Sequence, residues 1–341
     1  MRFVSDNTAA VHPKIMAAIA AANRDPAPAY GGDDLTKRLT RRFSELFEKD
    51  VTVLPVATGT AANSISLAAL CPSYGAVFCH REAHVEVDEC GAPEFYTGGA
   101  KLVALDGAAG KLDAKTLDAA ISNAGIGVQH HVQPAAISLT NATEAGTLYR
   151  PDETAAIGAV AKKYRLGLHV DGARFANAVA ALNCRPADLT WKAGVDLLSF
   201  GATKGGAMAA EAAIAFTPEA AQSLIYRRKR GGHLFSKMRF LSAQLEAYLT
   251  DGLWLEAARH ANRLAQRLKT GLERLPGVKL MFPVEANEVF VDLPAPMLDR
   301  LYAAGWPKRP WPGYPASMIR LVASGVDSEA DVDAFLARLT G

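Results

Sequence analysis

This chain of 341 residues has few cysteines, little net charge and no long apolar run. Its four cysteines form no Cys-x-x-Cys pair and show no metal-ligand spacing, so we expect reduced thiols and no metal ion. The formal net charge of +2 leaves no broad basic surface for nucleic acid or for an anionic membrane. No apolar run approaches the roughly 18 residues that a membrane span requires, and the first residues lack the apolar core of a signal peptide. These absences predict a soluble cytoplasmic protein with neither nucleic acid nor membrane among its partners.

Short apolar runs alternate with alanine-rich helical stretches between about residues 51 and 216. Runs that are apolar on both faces and separated by helices are typical of a mainly parallel sheet covered on each side. The sequence therefore predicts an α/β fold with a seven-stranded, mainly parallel sheet and helices on both faces. The predicted strands cover residues 51–57, 76–79, 101–105, 135–139, 167–170, 197–200 and 212–216. Ligands of such sheets bind beyond the carboxyl ends of the strands, so the residues just after each run are the candidates for chemistry.

The pattern changes after about residue 235, where a long helical stretch (237–275) is interrupted near Asp251 and Gly252. Two closely spaced strands, a helix, another strand and a final helix follow it. These elements are predicted over residues 278–282, 288–293, 296–304, 318–322 and from 328 onward. We therefore predict two domains, an N-terminal segment with a large domain over residues 1–240 and a small C-terminal α/β domain over residues 241–341.

Lys204 follows the predicted strand 197–200 in a loop with glycines at positions 201, 205 and 206. A lysine at the mouth of a parallel sheet, flanked by glycines, can form a Schiff base with an aldehyde cofactor, although a lone lysine of this kind is more often a surface residue. Asp171 lies at the carboxyl end of the preceding strand, and adjacent parallel strands bring both side chains to the same rim. A carboxylate that keeps a pyridine nitrogen protonated, beside a lysine that holds an aldehyde carbon, indicates pyridoxal 5′-phosphate (PLP).

Two further features strengthen the interpretation of a PLP site. Thr58, Gly59 and Thr60 follow the first predicted strand and begin a helical run, and the free amides at a helix start bind anions such as phosphate. His84 follows the second predicted strand and could stack on a planar cofactor, although a lone histidine is more often structural. Sites for the aldehyde, the pyridine and the phosphate are thus predicted at three strand ends of one sheet.

Over nearly its whole length the sequence resembles the threonine aldolases, which are fold-type I PLP enzymes of the β-eliminating lyase superfamily. The most specific motif is His169-Val-Asp-Gly-Ala-Arg174 followed by Thr203-Lys-Gly205. The other matching motifs are Ser5-Asp-Asn7, Tyr30-Gly31, Thr58-Gly-Thr60, Glu82-Ala-His84 and Arg320-Leu321. The resemblance implies reversible retro-aldol cleavage of L-threonine or related L-β-hydroxy-α-amino acids, such as phenylserine, to glycine and an aldehyde. It also implies a homodimer or homotetramer with a shared active site.

The resemblance gives each matching residue a role. Lys204 would bind the cofactor aldehyde, Asp171 would bind the pyridine nitrogen, and His84 would stack on the ring. His84 and His130 would recognise the β-hydroxyl group, so the implied catalytic set is Lys204, His84, Asp171 and His130. The other implied cofactor-binding residues are Thr58, Gly59, Thr60, Arg174 and Thr203. The implied substrate-binding residues are Ser5, Tyr30, His84, His130, Arg174 and Arg320, of which Ser5, Arg174 and Arg320 would hold the carboxylate.

The segment 227–237 departs from the family pattern, which carries a triple glycine and then an arginine that reaches a neighbouring subunit's phosphate. Arg228 and Lys237 are the candidates for that contact here. The nearest alternative function is another PLP reaction on the same fold, such as β-elimination or transamination, and two hydroxyl-facing histidines favour the aldolase. A non-catalytic relative is disfavoured because Lys204, Asp171 and His84 are all present. A nicotinamide dehydrogenase is disfavoured because no Gly-x-Gly-x-x-Gly follows the early strands.

Overall fold

Seven strands form the large sheet of the computed structural model, which describes residues 2–340. The strands are β1 (Thr52–Val56), β2 (Gly75–His80), β3 (Lys101–Leu105), β4 (Gln133–Thr140), β5 (Gly167–Gly172), β6 (Leu197–Gly201) and β7 (Glu211–Ala215). Their order across the sheet is β1-β7-β6-β5-β4-β2-β3, and only β7 runs antiparallel to its neighbours. The predicted seven-stranded, mainly parallel sheet is therefore confirmed.

Both faces of this sheet are covered, as the two-sided apolar runs require. Along β1 and β7, Val53 and Ile214 contribute to one core cluster, whereas Leu54 and Ala213 contribute to the cluster on the opposite face. This alternation follows from the period of two in a strand, and burial on both sides is why the runs are mostly apolar. The covering helices are α1 (Pro13–Ala21), α2 (Asp34–Phe47), α3 (Gly59–Leu70), α4 (His84–Val87), α5 (Ala92–Thr97), α6 (Ala114–Ser122), α7 (Pro151–Tyr164), α8 (Phe175–Leu182) and α9 (Pro218–Arg230).

Helix α2 shows how the covering helices are held on the sheet. Its buried residues Leu39, Phe43 and Phe47 recur at helical spacing, and the Phe43 ring packs edge-on against Phe200 of β6, with ring centroids 5.0 Å apart. Full burial of each such side chain stabilises the fold by about 2–3 kcal/mol. The helix begins at the cap Asp33, whose carboxylate accepts a hydrogen bond from the Thr36 amide.

The C-terminal part contains a second, smaller sheet with its own apolar core. Its elements are α10 (Arg239–Leu249), α11 (Leu253–Leu272), β8 (Lys279–Leu280), β9 (Glu288–Asp292), α12 (Ala295–Ala303), β10 (Met318–Val322) and α13 (Glu329–Thr340). The three strands are antiparallel in the order β10-β9-β8. The predicted interruption near Asp251 is confirmed as a 3₁₀ turn at Thr250–Gly252 between α10 and α11.

Helix α11 is shared by the two cores. Its first half, with Leu253 and Trp254, packs in the large core, and its second half, with Leu264 and Leu268, packs in the small one. Phe3 also belongs to the small core, and its carbonyl accepts a hydrogen bond from the Val322 amide. The proposed domain boundary at residues 240 and 241 thus precedes a helix common to both cores. None of the helices within residues 2–340 is both long and apolar enough to cross a membrane.

Candidate functional site

A cavity of about 410 Å³ lies where β1, β4, β5 and β6 end and β7 begins. Pockets that bind small molecules usually measure about 300–1,000 Å³, so this one can hold a cofactor with a small substrate. The predicted cofactor-binding residues along its wall include Thr58, Gly59, Thr60, Asp171, Thr203 and Lys204. The cavity thus lies at the edge of the sheet where the sequence predicted ligand binding.

Lys204 lies three residues beyond the end of β6, in a tight turn closed by hydrogen bonds between backbone groups of residues 202–207. The next residue must be glycine, because a Cβ atom at Gly205 would lie 1.9 Å from the buried Tyr248 hydroxyl oxygen. Within residues 2–340 the Lys204 amine has no hydrogen bond or ion pair, and it lines the cavity. A primary amine held this way can react with an aldehyde.

Asp171 occupies the carboxyl end of the neighbouring strand β5 and is 3% exposed. Its Oδ1 atom accepts a hydrogen bond from the Ala173 amide (2.9 Å), and its Oδ2 atom accepts one from Asn63 Nδ2 (2.8 Å). The same Asn63 nitrogen donates to Glu89 Oε1 (2.8 Å). The Asp171 carboxylate is therefore fixed in orientation at the cavity wall, as a partner for a ring nitrogen must be.

The helix start predicted to bind phosphate lines the same cavity. Thr58 is the N-cap of α3, and its hydroxyl accepts a hydrogen bond from the Ala61 amide (3.1 Å). The first amides of a helix have no partner within the helix, and the helix dipole adds positive potential there. A Cβ atom at Gly59 would meet nothing within 4 Å, so an anion can approach the backbone closely at this point.

His84 is the first residue of α4 and lines the cavity beside Asp171. Its Nδ1 atom lies 2.8 Å from Glu89 Oε1, and this hydrogen bond raises the pKa of His84 although burial opposes the shift. Ligand atoms of His84, Glu89 and Asp171 lie within 4.8 Å of one another, a spacing that a metal ion could use. The Asn63 amide already joins the two carboxylates, so hydrogen bonding accounts for this group without an ion.

The two arginines predicted to hold a substrate carboxylate also reach the cavity, and each is paired with an acid. Arg174 donates to both oxygens of the Asp6 carboxylate, at 2.8 and 3.0 Å. Glu288 lies 3.2 Å from Arg174 Nη1 and 3.6 Å from Arg320 Nη1. The Arg320 guanidinium also lies 5.4 Å from the centre of the Trp311 ring.

Three of the predicted site residues, Ser5, Tyr30 and Lys237, lie outside the cavity of one chain, in a turn or on the surface. Ser5 caps the turn Asp6–Thr8 and lines a separate cavity of about 280 Å³, while its neighbour Asn7 lines the main one. Tyr30 is 55% exposed, and its ring lies 5.3 Å from Lys229 Nζ. Lys237 is exposed between α9 and α10.

His130 does not line the cavity formed by one chain, so its contact with the substrate β-hydroxyl group stays a prediction. It is exposed and precedes β4, whereas the cavity lies beyond the other end of that strand. An eight-residue strand spans roughly 25 Å, so the two ends are far apart. The family match placed His130 by sequence position, which does not tell at which edge of the sheet a residue lies.

Arg228 lies on α9, also outside the cavity. Burial lowers its pKa to about 10, and within residues 2–340 its buried Nε atom has no hydrogen-bond partner. A contact with a neighbouring subunit's phosphate requires a second chain, so this role of Arg228 and of Lys237 stays a prediction.

Several acids of the cavity wall were missed in the sequence, notably Glu144 and Glu211. Glu144 Oε1 accepts hydrogen bonds from the His84 amide (2.7 Å) and from Thr140 (2.9 Å), and burial raises its pKa to about 7. Glu211 Oε2 accepts one from the Ala202 amide (3.0 Å), and burial raises its pKa to about 7 as well. Glu144 follows β4 and Glu211 begins β7, both at the edge of the sheet that forms the cavity. Their position next to these strand ends is the signal that could have identified them in the sequence.

Glu211 predicts a pH dependence of stability in the cofactor-free protein. Between the ordinary glutamate pKa of 4.5 and about 7, the native state keeps a proton that the unfolded state releases. The free energy of unfolding should therefore fall as the pH rises through this window, by about 3 kcal/mol from this group. Glu211→Gln should remove that contribution. Urea unfolding at pH 5 and pH 7.5 measures the difference, with Glu45→Gln on the exposed face of α2 as control. An equal pH slope in wild type and Glu211→Gln would contradict the prediction.

Comparisons with known proteins show which family the chain is similar to. Residues 2–296 match the family described as β-eliminating lyase. A low specificity L-threonine aldolase from Pseudomonas aeruginosa is 49% identical over 306 residues, which cover 89% of this chain and 88% of the relative. Another from a Pseudomonas species is 47% identical, with the same coverage. The solved structure of a threonine aldolase from Leishmania major superposes with a TM-score of 0.92 at 29% identity, covering 99% of this chain and 98% of that one.

Proposed function

The chain belongs to the β-eliminating lyase family and within it to the threonine aldolases, and from this we infer that it is a PLP-dependent carbon–carbon lyase. It cleaves L-threonine to glycine and acetaldehyde, and it acts on related L-β-hydroxy-α-amino acids such as phenylserine. One observation in the fold carries this conclusion. The unpaired Lys204 amine and the fixed Asp171 carboxylate share a cavity with the start of α3.

The residues of the cavity fit PLP in charge and shape. Lys204 would hold the aldehyde carbon, Asp171 the pyridine nitrogen, and the first amides of α3 the phosphate, where Gly59 leaves the backbone open. When bound, PLP withdraws electrons from the substrate Cα atom, provided that its ring nitrogen stays protonated. The buried Asp171 carboxylate favours that protonated state because a nearby negative charge stabilises a cation.

Arg320 and Arg174 would bind the α-carboxylate of the substrate. A planar guanidinium suits a carboxylate, and both arginines line the cavity. A carboxylate fixed there limits rotation about the bond between the substrate nitrogen and Cα. By fixing this rotation, the two arginines would select the Cα–Cβ bond for cleavage over the other bonds of Cα.

His84 would accept the proton of the substrate β-hydroxyl group, directly or through a water molecule. It lies on the cavity wall beside Asp171, and Glu89 fixes its ring through Nδ1, leaving Nε2 available. Loss of that hydroxyl proton allows the oxygen to form the carbonyl of the departing aldehyde as the Cα–Cβ bond breaks. The Lys204 amine, which lines the same cavity, would serve as the base and acid that returns the enzyme to its starting state.

We expect the acidic limb of the pH–rate profile to report the ionisation of His84. Only neutral His84 can accept the hydroxyl proton, so kcat/KM should rise with pH through a pKa above the usual histidine range. Glu89→Gln removes the negative charge of the group that accepts this hydrogen bond, so the pKa of His84 should fall and the limb should move to lower pH. Glu86→Gln, an exposed neighbour on α4, serves as control and should leave the limb in place. A limb that moves to higher pH in Glu89→Gln would exclude His84 as the group observed.

Product analysis tests the reaction itself. The purified holoenzyme should convert L-threonine to equal amounts of glycine and acetaldehyde, and phenylserine to glycine and benzaldehyde. β-Elimination would instead release ammonia with a 2-oxo acid, and transamination would produce no free glycine. A non-catalytic relative would give none of these products. If ammonia rather than glycine were the main product from L-threonine, the aldolase assignment would be wrong.

We also propose that the active enzyme is a homodimer or homotetramer with shared sites. Predicted site residues Tyr30, Arg228 and Lys237 lie outside the cavity of one chain, and Phe95 and Tyr226 are 80% and 71% exposed. Light scattering combined with size-exclusion chromatography would measure the oligomeric state, and a monomer with full activity would refute the proposal. A cytoplasmic location stays a prediction.

A further inference from the structure

Resting on the proposed function, we propose that Glu288 sets the position of the two carboxylate-binding arginines and limits how tightly they bind a substrate carboxylate. The arginine cluster, defined as Asp6, Arg174, Glu288 and Arg320, contains two cations and two anions. Its members come from the N-terminal turn, the loop after β5, and strands β9 and β10. Glu288 is the only acid of this cluster that lies near both arginines.

The second sheet directs Glu288 towards both arginines. Glu288 is paired with Val322 across β9 and β10, and Arg320 is two residues before Val322 on the same strand. Diagonal neighbours of this kind project from the same face of an antiparallel pair, so the Glu288 carboxylate lies beside the Arg320 guanidinium, and Arg320 lines the cavity. Arg174 arrives from the large domain, and its Nη1 atom lies near the other Glu288 oxygen.

The contacts of Glu288 are those of a carboxylate held by charge alone. Its side chain is fully buried, yet within residues 2–340 neither oxygen has a hydrogen-bond partner. Its two oxygens lie 3.2 Å from Arg174 and 3.6 Å from Arg320. Burying a carboxylate without hydrogen bonds is costly, and such a group calls for an explanation beyond stability.

Charge balance supplies the explanation. Asp6 already pairs with Arg174 through two hydrogen bonds, so Glu288 is a second negative charge beside the two arginines that would bind the substrate carboxylate. Glu288 itself does not line the cavity, but its charge holds Arg320, whose side chain is 26% exposed and does line it. When the substrate binds, its carboxylate and Glu288 share the same arginines and repel each other. Affinity for the carboxylate is therefore reduced while the geometry is preserved.

Glu288→Gln and Glu288→Asp separate these two effects. Glutamine removes the charge at nearly constant volume, so glycine should bind about tenfold more tightly, while the uncharged analogue glycinamide should change less than about twofold. KM for L-threonine should fall likewise, and kcat should fall because Arg320 loses its fixed partner. Aspartate keeps the charge but shortens the side chain, so kcat should fall while the ratio of glycine to glycinamide affinity stays that of the wild type.

Equilibrium binding is measured by titrating holoenzyme and following the spectral change of the bound cofactor, which needs no turnover. Glu285→Gln is the matched control, because Glu285 lies three residues away and accepts a hydrogen bond from the Leu148 amide, outside the arginine cluster. Unchanged or weaker glycine binding by Glu288→Gln, or an equal gain for glycinamide, would overturn the proposal. If Glu288→Gln does not fold, a changed affinity ratio in Glu288→Asp would overturn it instead. Wild-type enzyme that binds neither ligand would contradict the proposed function rather than the role of Glu288.

Discussion

Replacing Lys204 by alanine should abolish threonine cleavage and remove the visible absorbance band of lysine-bound PLP. The effect is expected to be the largest of any single substitution, more than about 10⁴-fold in kcat, because no other lysine lines the cavity within residues 2–340. Alanine also removes the amine that returns the enzyme to its starting state after each turnover. Absorbance spectra of the purified variant with added PLP, together with glycine release from L-threonine, measure both consequences.

Lys101→Ala is the control for this substitution, since Lys101 is an exposed lysine at the start of β3. It should keep the absorbance band and the activity of the wild type. Near-wild-type turnover by Lys204→Ala would remove the basis of the proposed function. Retention of the visible band without turnover would mean that another amine holds the cofactor.

Asp171→Asn should lower kcat by roughly 10²- to 10³-fold while leaving the cofactor bound. Asparagine is nearly the same size and can still accept the hydrogen bond from the Ala173 amide, but it carries no charge to keep the ring nitrogen protonated. The substitution should also lower the pKa of His84, because the Asp171 charge is one of the causes that raise it. We therefore expect the acidic limb of the pH–rate profile to move to lower pH along with the fall in rate.

Asp196→Asn provides a matched comparison on the same sheet. Asp196 accepts a hydrogen bond from the Leu168 amide (2.8 Å), but it precedes β6 and lies at the edge opposite the cavity. Its replacement should affect unfolding rather than kcat. If both variants lose activity in proportion to their loss of stability, Asp171 has a structural role only.

The sequence predicted the large sheet well because its strands are short apolar runs, most of them separated by helices. All seven runs correspond to strands whose bounds differ from the prediction by only a few residues. The antiparallel direction of β7 was not visible in the sequence, since a strand buried on both faces has the same composition in either direction. The sequence also did not show that α11 packs in both cores, because an apolar stripe along a helix does not indicate which core each turn contacts.

The sequence by itself determined the reactive centre: Lys204, Asp171 and the turn Thr58–Thr60. Each follows a strand, and parallel strands bring their carboxyl ends to one rim whatever the details of packing. Only the tertiary structure decided the surroundings of that centre. Asn63 joins Asp171 to Glu89, Asp6 neutralises Arg174 from 168 positions away, and Glu288 lies between two arginines. Such contacts depend on side-chain burial and on distances between elements far apart in the chain. The same dependence places His130 outside the cavity of one chain. It also raises the pKa values of Glu144 and Glu211 to about 7, because desolvation arises only once the chain has folded.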